Sequence, residues 1–280
     1  MQGSRIAASF AGLAARGERA LVAYMMAGYP PGRDLEVLRG LARGGADIIE
    51  VGFPFSDPLA DGPVIRDAAA ESIRGGMDRK NLLEFVRRAR GETDVPLVLM
   101  TYANVLYRRG LCRFMREAAS AGIDGFIIPD LPVEEAAEYL ECAKKEDAAA
   151  ILLASPNTGP ERMREIASAS SGFLYVVAVY GTTGAAGGVK EYAVRAVRRA
   201  LKESGGLPVG AGFGVSGPKD VARFVDAGAD AVIVGSAILK LAGTGGAGLE
   251  GRIADFTAGL KQATIPRGRS SRSAGGAGRR

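Results

Sequence analysis

The chain has 280 residues, 47% of them hydrophobic and 24% charged, a balance that excludes an intrinsically disordered protein and suffices for one large domain. The formal charge of +5 does not describe a basic surface, because residues 267–280 hold five arginines and no acid while the rest of the chain is formally neutral. A nucleic-acid-binding face is thereby excluded from the body of the chain, and the tail is left able to make only weak, salt-sensitive contacts with anions.

Residues 1–19 carry alanines and arginines without an apolar run of signal-peptide length, and an extra N-terminal helix is expected there. Apolar runs of strand length follow at 21–26, 47–51, 96–101, 125–129, 149–153, 173–179, 207–210 and 231–235. Amphipathic stretches lie between them at 34–43, 81–90, 113–121, 134–145, 161–170, 191–203 and 218–227. The apolar runs are continuous rather than alternating, as in strands buried on both faces of a parallel sheet. Eight strand-helix units in about 250 residues predict a (β/α)8 TIM barrel. A short last helix is expected to end near residue 262. The expected organisation is one barrel domain over 1–264 and a disordered basic tail over 265–280. The longest apolar run, 173–180, is far too short to span a bilayer, so no membrane association and a soluble, cytoplasmic protein are expected.

An open, doubly wound sheet is the competing architecture, and Gly210-Ala211-Gly212-Phe213-Gly214 resembles its dinucleotide loop. Position argues against it: that fingerprint belongs after the first strand and needs an acid ending the next, whereas this run follows the seventh and the next ends in Gly235-Ser236. A similar phrase also announces several strands, namely Gly44-Gly45-Ala46-Asp47, Ala121-Gly122-Ile123-Asp124 and Ala227-Gly228-Ala229-Asp230, as suits a barrel of repeated units. Cys112 and Cys142 each fall in a predicted helix, with no CxxC spacing and no histidine to complete a zinc site. Both are expected to be reduced core residues, and no metal site is expected.

Acid chemistry is expected around the second strand. Its apolar run delivers Glu50, and the loop that follows supplies Asp57 and Asp61. With no histidine in the chain, proton transfer near neutral pH falls to a tuned carboxyl group, Tyr, Cys or Lys. Glu50 at a strand end is the candidate for a carboxyl of raised pKa, or else a buried salt-bridge partner. Asp61, on a Gly-Pro-flanked loop, is the candidate for an ionised carboxylate, or else a turn former. Three glycine-rich turns follow strands six, seven and eight, at 181–188, 212–214 and 235–236. The latter two are where this fold usually cradles phosphate through backbone N–H groups.

The run Pro54-Phe55-Ser56-Asp57-Pro58-Leu59-Ala60-Asp61-Gly62-Pro63, with Tyr102-Ala103-Asn104, Pro129-Asp130-Leu131-Pro132, Gly181-Thr182-Thr183-Gly184, Gly212-Phe213-Gly214-Val215-Ser216 and Gly235-Ser236-Ala237, resembles the tryptophan synthase α subunit. The match runs in order from about Tyr24 to Lys240, and its first motif is highly specific. The resemblance implies cleavage of indole-3-glycerol phosphate to indole and glyceraldehyde 3-phosphate. It also implies a β-subunit partner in an α2β2 assembly, with pyridoxal phosphate held by that partner and no cofactor in this chain.

Carried over by position, Glu50 matches the family's general acid/base, Asp61 its second catalytic carboxylate and Tyr175 its active-site tyrosine. Tyr24, Tyr102, Thr183, Gly184, Gly212, Phe213, Gly214, Gly235 and Ser236 match substrate- and phosphate-binding positions, and Asp57, Pro58 and Asn104 the partner interface. The four glycines of the loop over 181–188 make it costly to order, so it is expected to be poorly fixed without ligand and to close over substrate. Two departures are recorded there: Gly-Thr-Thr-Gly stands where many members have Gly-Val-Thr-Gly, and Val179-Tyr180 where a serine or arginine is common. Two other readings stay open at this level: another phosphate-binding barrel, such as a sugar-phosphate isomerase or epimerase, and a non-catalytic regulatory subunit.

Overall fold

The apolar runs become a parallel sheet whose strands are buried nearly throughout. A computed structural model describes residues 4–58, 61–108, 110–177, 189–212 and 214–266. Among these the strands are β1 (Ala20–Met26), β2 (Ile48–Gly52), β3 (Leu97–Met100), β4 (Gly125–Ile127), β5 (Ala149–Ile151), β6 (Leu153–Ala154), β7 (Leu174–Val177), β8 (Val209–Gly212) and β9 (Ala231–Val234). The helices are α1 (Arg5–Ala15), α2 (Asp34–Arg43), α3 (Pro63–Arg74), α4 (Arg79–Glu92), α5 (Ala103–Tyr107), α6 (Leu111–Ala121), α7 (Ala137–Lys145), α8 (Pro160–Ala169), α9 (Glu191–Glu203), α10 (Pro218–Asp226), α11 (Ser236–Gly243) and α12 (Leu249–Gln262). A 3-10 turn, Val133–Glu135, precedes α7 where one continuous helix was expected over 134–145.

The strand order is β5-β4-β3-β2-β1-β9-β8-β7-β6, and every paired strand runs parallel. The two ends of that order, β5 and β6, are halves of the single run expected at 149–153, separated only by Leu152. The first half pairs with β4 and the second with β7, so the chain itself joins the sheet's ends into a TIM barrel. Tyr139 of α7 ties the joint from outside: its hydroxyl donates to the Phe126 carbonyl at 2.6 Å and accepts from the Ile151 N–H at 3.0 Å.

Alternation along each strand sends one set of side chains inward and the other toward the helices. Val22, Ile48, Val98, Ile127, Ile151, Phe173 and Ile233 fill the barrel interior. The expected N-terminal helix, α1, completes this layer by inserting Ile6 and Leu13, with Phe10 against Phe173 at a ring separation of 6.0 Å. The outward set, including Leu21, Ile49, Val51, Leu99 and Val232, packs under the helices.

The repeated Gly-Ala-Asp phrases have a common physical basis. Gly45, Gly122 and Gly228 each have positive φ, +89°, +125° and +101°, which lets the helix end turn sharply into the next strand. The aspartate that follows pairs twice with the neighbouring strand. Asp47, Asp124 and Asp230 donate their own N–H to the carbonyls of Leu21, Leu97 and Val209 and accept those residues' N–H groups on a carboxylate oxygen. The same staple therefore fastens β1 to β2, β3 to β4 and β8 to β9 at the end of the barrel from which the strands start.

The cysteine expectation is corrected. Cys112 of α6 and Cys142 of α7 are joined in a disulfide, with Cα atoms 5.1 Å apart. The two helices pack side by side, which a sequence separation of 30 conceals. The expected tail falls almost wholly on residues 267–280, outside the described residues. No described helix is long and apolar enough to cross a membrane.

Candidate active site

Parallel pairing of β1 and β2 puts Tyr24 opposite Glu50, and both side chains belong to the inward set. Glu50 is thus carried into the barrel with Ile48 below it and Val98 beside it on β3. It is 1% exposed, and among the described residues its Oε2 has no hydrogen-bond partner. Burial strips water from the charged form and raises the carboxyl from 4.5 to about 8, with the nearby Asp61 charge adding to the rise. The protonated form is thereby favoured at neutral pH, and among the described residues no cation pairs with Glu50 as the salt-bridge alternative requires.

Asp61 sits on the loop between β2 and α3. The Tyr102 hydroxyl, at the end of β3, donates to its Oδ2 at 3.0 Å, and the Phe55 ring lies 5.3 Å from that of Tyr102. Burial pushes the Asp61 carboxyl up, while the Tyr102 hydroxyl and the Arg66 guanidinium on α3 pull it back down. Burial thus raises both carboxyl groups, but only at Asp61 do a hydroxyl donor and a cation offset part of the rise. The phenols of Tyr24 and Tyr175 are raised well above the ordinary value, by burial first and then by the charges of Asp61 and Glu50. Both remain neutral.

Tyr24, Glu50, Asp61 and Tyr175 line one cavity together with Ile65, Met100, Gly214, Val215, Ile233, Gly235 and Ser236. The expected phosphate turns after β8 and β9 thus open onto the same space as the carboxyl groups. Gly214 has φ +75°, a conformation costly for other residues. Ser236 starts α11, so that helix offers the cavity its unsatisfied N-terminal N–H groups and the positive end of its dipole.

Gly212 has a steric role beside the one expected of it. A Cβ there would lie 2.5 Å from the Tyr175 hydroxyl oxygen, so the position is kept bare to seat that ring. Gly52, which sequence reasoning passed over, does the same for Tyr24, whose hydroxyl occupies the space a Cβ would need. Gly52 falls just past the apolar run at 47–51, so no glycine within that run announced the close approach. Helices α3, α5 and α11 were also unread, although Pro63 at a first helical position and Ser236 ahead of an apolar run are start signals.

Asp57 and Asn104 are exposed and Pro58 is half-buried, on the segments that follow β2 and β3. Ser56 and Asp57 are tied to each other, Oγ donating to Oδ2 at 2.6 Å. Thr183, Gly184 and Phe213, with the rest of the expected lid at 181–188, lie outside the described residues.

The family model described as tryptophan synthase alpha chain matches residues 10–263. The tryptophan synthase alpha chain of Methanothermobacter thermautotrophicus is 44% identical over 223 residues, spanning 79% of this chain and 82% of the relative. Among solved structures, Mycobacterium tuberculosis tryptophan synthase aligns with a TM-score of 0.85 at 34% identity, covering 94% of this chain and 99% of that one. A structure addressing mutual activation of the tryptophan synthase α2β2 complex of Pyrococcus furiosus aligns with a TM-score of 0.80 at 36% identity, covering 87% and 98%. Matching geometry, a family model spanning nearly the whole barrel and a relative of this identity place the chain in the tryptophan synthase alpha chain family.

Proposed function

We propose that Glu50 and Asp61 are the acid–base pair for the reaction of this family, the retro-aldol cleavage of indole-3-glycerol phosphate to indole and glyceraldehyde 3-phosphate. The chain is accordingly a carbon–carbon lyase of tryptophan biosynthesis. The observation that carries the assignment of roles is the buried Glu50 carboxyl, raised to about 8 and with its Oε2 unpartnered among the described residues, beside a second carboxylate held by Tyr102.

Glu50 gives its proton to the indole C3, which turns the ring into a cationic indolenine. The Asp61 carboxylate accepts the ring N–H and stabilises that charge as it develops. The bond between C3 and the carbinol carbon then breaks, its electrons restoring the aromatic ring, while the side-chain hydroxyl loses its proton to the Glu50 carboxylate and becomes the aldehyde. Protons balance, and Glu50 returns to its starting form. Gly214, Gly235 and the start of α11 receive the phosphate, setting the distance from the anchored end of the substrate to Glu50. Tyr175 and Tyr24, neutral and buried, wall the indole side.

Only proton transfers are required, in line with a chain that needs no cofactor of its own. Pyridoxal phosphate belongs in this reading to a β subunit, engaged in an α2β2 assembly through the exposed segments around Asp57, Pro58 and Asn104. The chain works in the cytoplasm. Family membership favours this reaction over the isomerase and regulatory readings. Release of indole from indole-3-glycerol phosphate by the purified chain tests it, and a chain that binds the substrate without releasing indole would refute it.

A further inference from the structure

The disulfide between Cys112 and Cys142 plays no part in the chemistry above, and its two ends are unequally placed. Cys112 is half-buried in the first turn of α6, whereas Cys142 is 1% exposed within α7. Their Cα separation of 5.1 Å lies inside the range that a disulfide spans without backbone movement. The exposed Glu138, one helical turn before Cys142, brings its carboxylate into the same cluster, in which the two sulfurs and the carboxylate oxygen all lie within 4.8 Å of one another. In the reducing compartment where a biosynthetic enzyme works, a cysteine pair of this kind cycles rather than staying permanently oxidised.

We propose that Cys112 and Cys142 form a reversible modification site for small-molecule disulfides such as oxidised glutathione, with Cys112 as the entry thiol and Cys142 as the resolving one. The Cys112 thiolate attacks the small disulfide, forming a mixed disulfide and releasing one thiolate. Cys142 then loses its proton and attacks the Cys112 sulfur, closing the internal bond and releasing the second thiolate. The two protons shed by the protein leave on the two released thiols, and the two electrons reduce the small disulfide. Exposure sets the order, since only Cys112 can be reached from solvent. Glu138 sets the poise: its negative charge disfavours a thiolate at either sulfur and so opposes reductive opening. Closure ties α6 to α7 across 30 residues of chain and restricts the unfolded state.

The test equilibrates the full-length chain in glutathione buffers of graded oxidation, traps free thiols by alkylation and reads the products by mass. Both thiols are expected to disappear together in one transition, with no glutathione retained. Cys142→Ser should retain one glutathione on Cys112, and folded Cys112→Ser should take up none. Glu138→Gln should need about two- to five-fold more oxidised glutathione to reach its midpoint, the modest effect of an exposed charge. The oxidised parent should melt roughly 5–10 °C above the reduced one. Two thiols that remain alkylatable at every ratio would overturn the proposal, as would glutathione found on Cys112→Ser but not on Cys142→Ser. Zinc added to the reduced chain is the remaining arm: protection of both thiols by zinc, with no disulfide at any ratio, would refute the proposal in favour of a metal site.

Discussion

In Glu50→Gln the side chain keeps its shape and loses the proton it can deliver. Turnover is expected to fall by about 10² to 10⁴-fold, with phosphate affinity nearly unchanged. Retention of more than a tenth of the activity would remove Glu50 as the catalyst. The same variant carries a stability signature whose sign follows from burial. The native carboxyl titrates at about 8 against an ordinary 4.5, so between those values the folded chain holds a proton that the unfolded chain has released. Its contribution is fully present below 4.5 and is lost as pH rises to about 8, at about 1.4 kcal/mol per pH unit. Glu50→Gln escapes that loss. In urea denaturation it should match the parent near pH 4.5 and exceed it by on the order of 4 kcal/mol near pH 8, and a gap independent of pH would contradict the burial argument. The lyase rate of the parent should likewise decline as pH rises through about 8, where Glu50 gives up its proton.

Among the elements, strand ends divide by task. At the starting ends, Asp124 accepts the Leu97 N–H at 2.8 Å and pairs with Arg90 at 2.7 Å and Arg5 at 2.8 Å. Asp124→Ala strands a backbone donor and a largely buried guanidinium, and should cost about 2–4 kcal/mol in denaturant unfolding while leaving the lyase kcat within a factor of two or so. At the finishing ends the two glycines behave oppositely. A Cβ at Gly235 would meet Tyr24 at no less than 3.4 Å, an ordinary contact, whereas one at Gly212 collides with Tyr175. Substitution of Gly235 by a larger residue should therefore raise KM and weaken phosphate binding with little change in stability. Gly212→Ala should displace the Tyr175 ring and lower kcat. Equal effects of the two on both constants, measured by steady-state kinetics, would show that the cavity is not divided between an anion end and an aromatic end.

For the whole molecule, one short segment connects the site to the exterior. Phe55 packs on Tyr102, Tyr102 holds Asp61, and Asp57 stands exposed between Phe55 and Asp61 in the chain. A β subunit seated on Asp57 and Asn104 would steady Asp61 through these contacts, and ligand occupancy would be coupled reciprocally to partner binding. Adding a β subunit should stimulate indole release by the parent severalfold and that of Asp57→Ala much less. Equal stimulation would show that this loop is not the coupling element.

By itself the sequence determined the barrel and singled out Glu50 and Asp61 as the candidate carboxyl groups, because strands and strand-end acids are written in local pattern. Continuous apolar runs bounded by helix-period stretches specify buried parallel strands, and a glutamate ending one such run has nowhere to go but the mouth of the barrel. Tertiary structure decided the rest, since it depends on residues far apart in the chain. The raised Glu50 carboxyl comes from the wall built around it by other strands, and the partial offset at Asp61 from the Tyr102 hydroxyl. The bare positions at Gly52 and Gly212 answer to tyrosines on neighbouring strands. The fifth apolar run broke into β5 and β6 because its two halves pair with different neighbours where the sheet closes. Cys112 and Cys142 likewise met only because α6 and α7 pack together, a contact that no spacing within either helix announces.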